Sequence, residues 1–173
     1  ILIASFIIFI EDKGPIFYSQ YRTGFNGKEF KIYKLRTMKI NSEKKGPQWA
    51  SKEDKRITRV GKILRRTRID ELPQLWSVMS GKMSLIGPRP ERPEIEKDLI
   101  KQIPNYHLRF LIKPGLSGWA QVNYPYGASI DDTRKKLSYD LYYLKNFSIL
   151  LDFLILFKTI RLVLNARGSK PIK

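Results

Sequence analysis

The most apolar stretches of the chain lie at its two ends. Residues 1–10 are apolar apart from Ser5. A helix of that length is about 15 Å long, roughly half of what is needed to cross a membrane. Residues 149–164 are apolar except at Asp152, Lys158, Thr159 and Arg161. Both stretches fit helices that enter a membrane or lie in its headgroup plane. A buried strand or a signal-peptide remnant for the first, and a core helix for the last, are the alternatives.

The residues after the first stretch predict two short strands. Ile16–Gln20 is rich in apolar and aromatic side chains and is bounded by Gly14-Pro15, as is typical of a strand. In the second, alternation places Phe30, Ile32 and Lys34 on one face, which indicates a half-buried strand.

The rest of the chain predicts mainly helices. They are expected over 56–68, 91–103 and 139–164, while the polar residues 41–54 predict a loop. Pro73 fits only the first turn of a helix, so Asp70 is a candidate N-cap. The apolar face of this helix would then be formed by Leu72, Leu75, Trp76 and Met79. The elements together predict a single α/β domain of the α+β type, mainly helical with short strands.

Composition narrows the partners and the chemistry. The 173 residues include 33 Lys and Arg against 16 Asp and Glu, for a net charge of +17. Such a surplus attracts nucleic acid, anionic lipid or phosphorylated small molecules. The chain has no cysteine and its only histidine is His107. Thiol catalysis and cysteine-ligated zinc are therefore excluded, and an acid, base or nucleophile must be a carboxylate, a lysine or a hydroxyl.

Asp70 and Glu71 are the first candidates for that chemistry. They follow a basic cluster of Arg65, Arg66 and Arg68, whose charge should keep Asp70 ionised. A carboxylate in such a place can act as a nucleophile toward phosphorus, and Glu71 can hold Mg²⁺ together with phosphate oxygens. The alternative is that the pair is only a solvated turn or a helix cap.

Arg89 is the second candidate. It lies between Pro88 and Pro90, which stiffen the chain, so its guanidinium would lose little entropy on binding phosphate oxygens. A strand edge with Arg89 facing solvent is the alternative.

Several collinear motifs carry a resemblance to a known family. They are Gly14-Pro15-Ile16-Phe17 with Gln20 to Gly24, Phe30 to Met38, Asp70 to Leu75, Leu85 to Pro90, Lys113 to Asn123, and Tyr139 to Tyr143 with Asn146 and Asp152. In this order they resemble the bacterial sugar transferases, the monotopic polyprenyl-phosphate phosphoglycosyltransferases. The resemblance covers essentially the whole chain.

The resemblance implies a reaction and a set of site residues. Asp70 would attack the β-phosphorus of a UDP-sugar and expel UMP, and polyprenyl (undecaprenyl) phosphate would then take the sugar phosphate from it. Glu71 would bind Mg²⁺, the implied cofactor. The implied phosphate-binding residues are Arg22, Arg65 and Arg89, and Asp140 is a further polar position of the substrate-binding set.

The resemblance also implies a cellular setting. Residues 1–10 would be the second half of a re-entrant membrane helix, residues 11–173 the catalytic domain, and about 149–164 an interfacial helix. The domain would lie on the cytoplasmic face of the bacterial inner membrane and serve polysaccharide or glycoconjugate synthesis, with membrane lipid as a partner and nucleic acid excluded. A homo-oligomer is compatible with it.

The sequence departs from the usual family pattern in a way that bears on the sugar substrate and on whether the chain is part of a longer protein. Asn123 is followed by Tyr124-Pro125-Tyr126-Gly127 where the family usually continues with glycine. This variant resembles larger members, so the chain is expected to be the catalytic part of a longer protein. Two rival functions remain from the residues alone: a nucleic-acid-binding module that uses 30–34 as a stacking platform, and a non-catalytic membrane scaffold.

Overall fold

The structure is a computed structural model that describes residues 1–42, 54–125 and 129–165. Within these ranges the chain has the predicted mixed α/β fold, with more helix than strand and two small two-stranded sheets. None of the helices in the described ranges is both long and apolar enough to span a membrane. Most of the predicted loop 41–54 lies outside the described residues and stays a prediction.

The first sheet is an antiparallel hairpin of β1 (Phe17–Thr23) and β2 (Glu29–Leu35). Phe30 and Ile32 are buried, and they pack against Met83. Glu29, Lys31 and Tyr33, which alternate with them along β2, are exposed, so the predicted alternation is confirmed. Lys34 continues the inward face and keeps only 18% of its side chain exposed.

Helix α2 (Arg59–Thr67) begins three residues later than the predicted start at residue 56. The reason is its N-cap: the hydroxyl of Thr58 accepts a hydrogen bond of 2.9 Å from the main-chain N–H of Gly61. A Cβ atom on Gly61 would lie 2.1 Å from the carbonyl oxygen of Thr37. Glycine therefore lets α2 lie directly against the chain that follows β2.

The segment after α2 differs from the prediction. Arg68 ends α2 in the left-handed region, and a 3₁₀ helix over Ile69–Gln74 carries both candidate carboxylates. Helix α3 (Leu75–Met79) starts only after this turn, so the predicted N-cap role of Asp70 is wrong.

The predicted apolar face of α3 is not in the core either. The buried positions here are polar: Gln74, the residue before α3, and Ser77 within it. The apolar side chains consequently face outward with exposures between 38% and 77%: Leu72, Leu75, Trp76 and Met79.

The second sheet is parallel and pairs β3 (Ser84–Ile86) with β4 (Gly115–Ser117). The proline-flanked Arg89 follows β3 directly. Helix α4 (Pro93–Gln102) then forms within the predicted range, with Pro93 in its first turn. Helix α5 (Trp119–Asn123) follows β4.

The chain closes with two helices, α6 (Ile130–Asn146) and α7 (Ile149–Leu164). The prediction placed one or two helices over 139–164, and α6 begins nine residues earlier because Ser129 and Asp132 form a capping box at its start. Ile155 of α7 is fully buried. Three polar residues of α7 also face the protein: Asp152 accepts from the hydroxyl of Tyr143 at 2.7 Å, Lys158 donates to Asn123 at 2.7 Å, and Thr159 lies 2.6 Å from the hydroxyl of Ser117.

The outward side of α7 is apolar. Its most exposed side chains are those of Ile149, Leu150, Phe153, Phe157 and Leu164, each at least 64% exposed. Helix α1 (Leu2–Glu11) has a similar surface, because Ile8 packs against Leu35 and Leu64 while Leu2, Ile3 and Phe6 are exposed. The carboxylate of Glu11 links α1 to α2 by accepting hydrogen bonds from the main-chain N–H groups of Arg59 and Val60.

Candidate active site

The Asp70–Glu71 pair lies inside the protein. Each residue is 7% exposed, so the alternative of a solvated turn is wrong. The 3₁₀ helix packs against β2, which brings Lys34 to the pair from one side, and the run after β3 brings Arg89 from the other. Three segments distant in the chain thus meet around two adjacent carboxylates.

Glu71 is surrounded by cations. Its Oε1 accepts from Lys34 Nζ at 2.7 Å and from an Arg89 nitrogen at 2.6 Å. Its Oε2 has longer contacts, 3.5 Å to Arg89 and 3.8 Å to Arg68. Burial alone would raise the pKa of Glu71, but the charges of Arg89 and Lys34 outweigh it and hold this pKa well below its usual value. Burial lowers the pKa of Lys34 to about 8, against the opposing effect of Glu71.

Asp70 has a different environment. Its Oδ1 is buried and has no hydrogen-bond partner among the described residues. Burial, and secondly the charge of Glu71, raise the pKa of Asp70 to about 6. Lys34, Arg65 and Arg68 oppose this shift without cancelling it. The arginines therefore do not set the pKa of Asp70, as the sequence suggested they would. With a pKa of about 6, Asp70 is still mostly ionised at neutral pH.

The predicted basic residues converge on the pair to different degrees. Arg89 contacts Glu71 directly, so the alternative of a solvent-facing arginine is wrong. Arg65 donates from Nε to the hydroxyl of Thr37 at 2.8 Å and lies close enough to influence the pKa of Asp70. A wider role for either residue in binding phosphate stays a prediction.

Arg22 supports the run that carries Arg89. Its guanidinium donates to the carbonyl of Pro90 at 3.0 Å and to Gln20 at 2.7 Å. Its Nε is buried with no hydrogen-bond partner in the described part of the chain, which leaves one N–H for an anion. Burial lowers the pKa of Arg22, and the nearby charge of Glu91 opposes that change.

Asp140 lies on α6 in a second cluster. It pairs with Arg109 at 3.0 Å, and both side chains are almost completely buried. Burial raises the pKa of Asp140 to about 6 even though Arg109 lowers it. Arg109 in turn donates to the carbonyl oxygen of Arg89 at 2.6 Å, so the second cluster touches the main chain of the first.

The sequence missed Lys34 and Arg109 as site residues. Lys34 carried a signal, because the alternation of β2 placed it on the buried face where a lysine needs an anionic partner.

The contacts of β2 also bear on the alternative of a nucleic-acid-binding module. Phe30 and Ile32 are in the core and Lys34 is ion-paired, so the supposed stacking platform retains only Lys31 and Tyr33 at the surface.

Asp70 and Glu71 are the carboxylates that would hold a divalent cation if one binds at this site. In the ranges described, no three His, Cys, Asp or Glu side chains cluster as a metal site. Mg²⁺, however, commonly binds through one or two carboxylates and completes its shell with water and substrate phosphates. The unpaired Oδ1 of Asp70 and the loosely held Oε2 of Glu71 are oxygen ligands of the right kind.

Comparison with known proteins places the chain in a family. The profile of the family described as bacterial sugar transferase matches residues 1–166. The chain is 49% identical over 169 residues to a UDP-N-acetylgalactosamine-undecaprenyl-phosphate N-acetylgalactosaminephosphotransferase of Aeromonas hydrophila, covering 98% of this chain and 40% of that protein.

Two further relatives are more distant. A UDP-glucose:undecaprenyl-phosphate glucose-1-phosphate transferase of Xanthomonas campestris pv. campestris is 40% identical, with 90% of this chain and 33% of that protein covered. The exopolysaccharide production protein PSS of Rhizobium leguminosarum bv. phaseoli is 38% identical, with 92% and 83% covered. The chain thus spans less than half of the first two relatives. The profile match extends over nearly all of the chain, and the chain belongs to the bacterial sugar transferase family.

Proposed function

We propose that the chain transfers a sugar 1-phosphate from a UDP-sugar to a polyprenyl phosphate such as undecaprenyl phosphate, with Asp70 as the nucleophile. The observation that carries the proposal is the state of Asp70, a buried carboxylate with an unpaired oxygen next to a cluster of cations. The relatives named for sugar phosphate transfer to undecaprenyl phosphate support this reaction class.

The first step forms a bond between a carboxylate oxygen of Asp70 and the β-phosphorus of the UDP-sugar. The bond from that phosphorus to the bridging oxygen breaks, and UMP leaves with the electron pair. Arg89 and Arg22 would hold the phosphate oxygens, since phosphoryl transfer depends mainly on positioning and on neutralising charge.

The second step releases the sugar phosphate to the lipid. An oxygen of the polyprenyl phosphate attacks the same phosphorus, and the bond to Asp70 breaks with its electrons returning to the carboxylate. The product is a polyprenyl diphosphate sugar, and Asp70 is regenerated. Lys34 and Arg89 keep Glu71 ionised throughout, which preserves the charge pattern around the pair.

Mg²⁺ fits this chemistry as a cofactor. Glu71 would hold it, with the oxygen of Asp70 nearby, and it would neutralise phosphate charge when bound. Activity should stop in excess chelator and return with added Mg²⁺. Full turnover in the chelator would remove Glu71 from this role.

The exposed apolar sides of α1 and α7 are proposed to lie in a membrane interface. This arrangement would put residues 1–10 and 149–164 at the lipid and the remaining domain on the cytoplasmic face, where the acceptor's phosphate can reach Asp70. The protein should float with anionic vesicles and resist release by high salt alone, whereas Phe157→Ser should weaken this binding. Complete release by salt would contradict insertion of apolar side chains.

The decisive experiment incubates the protein with a UDP-sugar and no acceptor. UDP-N-acetylgalactosamine and UDP-glucose are the first donors to use, because the relatives are named for them. We expect about one UMP per enzyme and a sugar phosphate attached to Asp70 in the peptide mass spectrum. Added undecaprenyl phosphate should then discharge the adduct with ping-pong kinetics.

The matched variants are Asp70→Asn and Asp131→Asn. Asp131 is an exposed carboxylate at the start of α6, so its change should leave UMP release normal. Asp70→Asn should remain folded and release no UMP. An adduct at another residue, or normal turnover of Asp70→Asn, would overturn the mechanism without affecting family membership.

A further inference from the structure

A buried network joins Arg109 to three acidic or polar side chains. One guanidinium nitrogen donates to the hydroxyl of Tyr106 at 2.6 Å and lies 3.5 Å from a carboxylate oxygen of Glu96. The other pairs with Asp140 at 3.0 Å. The guanidinium also lies over the ring of Tyr106, 5.1 Å from its centroid. Arg109 is thereby held in one orientation by α4, α6 and the turn that contains it.

The same guanidinium contacts the candidate active site at one atom. The nitrogen that pairs with Asp140 also donates to the carbonyl oxygen of Arg89 at 2.6 Å. The side chain of Arg89 then pairs with Glu71 at 2.6 Å. The next carbonyl, that of Pro90, accepts from Arg22 at 3.0 Å. Two consecutive carbonyls around Arg89 are therefore fixed by arginines from other segments.

We propose that Arg109 is a positioning residue, which holds the main chain at Arg89 so that the Arg89 guanidinium meets Glu71 and the substrate phosphates. Asp140 and Glu96 act through Arg109 by fixing its guanidinium, and Asp140 does not itself contact the substrate. The catalytic part of this inference rests on the proposed function, whereas the positioning part does not.

The chemistry of the network favours positioning over simple packing. Apolar side chains would fill this space at lower cost, because buried ion pairs lose hydration that their attraction repays only with good geometry. Burial raises the pKa of Glu96 to about 7, which shows how unfavourable its charge is here. A guanidinium has five N–H donors in a fixed plane and so can serve the four acceptors around Arg109 at once, which an ammonium on a flexible stem cannot do with the same geometry.

The first test measures the mobility of the Arg89 side chain by NMR, from the ¹⁵N–¹H heteronuclear NOE of its Nε–H group. The full chain is used in detergent, and the signal is assigned by its loss in Arg89→Lys. In Arg109→Lys we expect a lower NOE for Arg89 and an unchanged NOE for Arg56, whose Nε bonds to Asp54 in a separate segment. An unchanged Arg89 signal in a folded Arg109→Lys protein would overturn the inference, whether or not the protein is a transferase.

The second test measures turnover of the same variants, corrected for the folded fraction. Arg109→Lys should lower kcat/KM by about 10- to 100-fold, the order of effect that a small misplacement causes. Arg134→Lys, an exposed arginine on α6, is the control and should be normal. If Arg109→Lys does not fold, Asp140→Asn replaces it in both tests. Asp140→Asn should also lower the Arg89 NOE and kcat/KM, but by less than Arg109→Lys.

The two tests separate the possible failures. A wild-type protein without turnover contradicts the proposed function, while the NMR result still decides the positioning role. A wild-type protein that turns over, together with folded Arg109→Lys and Asp140→Asn variants of normal kcat/KM, overturns the positioning inference alone.

Discussion

The two halves of the site, around Asp70 and around Glu71, differ in charge although they lie on the same turn. In the Glu71 half, Lys34 and Arg89 lie within 2.7 Å of one oxygen and Arg68 within 3.8 Å of the other. In the Asp70 half, a carboxylate oxygen is buried without a partner in the described residues. Neighbouring positions in the chain thus give one carboxylate that is stabilised as an anion and one whose charge is disfavoured. A poorly stabilised anion is the better nucleophile.

The largest expected effect on stability comes from Glu71→Gln. This change leaves the cations around position 71 without their anion, and breaking a buried ion pair from one side costs about 3 kcal/mol or more. The pKa of Glu71 is below its unfolded value of 4.5. Its contribution is therefore present above about pH 4.5 and is lost as the pH falls toward its folded pKa.

Urea unfolding in detergent at pH 7 and at pH 3 measures this difference. The difference in the free energy of unfolding between wild type and Glu71→Gln should be large at pH 7 and smaller at pH 3. A variant as stable as wild type at pH 7 would show that the cations do not depend on Glu71.

Asp70→Asn should shift stability in the opposite direction. The pKa of Asp70 rises from 3.8 unfolded to about 6 folded, so the folded protein binds this proton more tightly and loses stability as the pH rises between those values. At pH 7 the variant should be more stable than wild type by on the order of 1–3 kcal/mol. The gain should disappear below about pH 4, where both states of the wild type are protonated. A destabilised variant at pH 7 would contradict a raised pKa of Asp70.

The pH dependence of UMP release is a kinetic test of the ionisation of Asp70. Only ionised Asp70 can attack, so the single-turnover rate should fall about tenfold per pH unit below roughly pH 6. Asp140 titrates in the same range, since burial also raises its pKa to about 6. The profile is therefore repeated with Asp140→Asn. If the rate of Asp140→Asn still falls below about pH 6, the titration belongs to Asp70. If that fall disappears, the titration belongs to Asp140.

The smallest effect is expected from Lys34→Met. Burial lowers the pKa of Lys34 to about 8, so the attraction to Glu71 is partly offset by the cost of burying the ammonium. Arg89 and Arg68 remain with Glu71 after the change. Thermal unfolding should show a loss below about 1 kcal/mol at pH 7. A loss as large as that of Glu71→Gln would mean that the cations are not redundant.

Local pattern was enough to predict part of this molecule. The alternation in β2 predicted a strand with an inward Lys34, and local sequence predicted α2, α4 and α7 within a few residues, whereas α6 begins nine residues before the predicted 139. Asp70, Glu71 and Arg89 stood out because charge density and flanking prolines are visible in the sequence. These features depend on residues close together in the chain.

The errors arose where local rules compete or where distant segments meet. Arg68 takes a left-handed conformation at φ 59°, which stops α2 and begins a 3₁₀ turn without the glycine that usually marks such a stop. Asp70 therefore lies in this turn and not at a helix start. Arg109 could not be recognised, because its acceptors at positions 89, 96, 106 and 140 come together only through the tertiary fold.

Helix α7 has a consequence for how this chain can change in evolution. Its polar residues Asp152, Lys158 and Thr159 contact the protein, while most of its apolar side chains are exposed and Ile155 is buried. The usual relation between hydropathy and mutational tolerance is therefore inverted. Saturation mutagenesis should find Lys158 and Thr159 intolerant even of similar polar side chains. Phe153 and Leu150 should exchange freely with other large apolar residues, because both side chains are mostly exposed and no neighbouring side chain among the described residues fixes their shape.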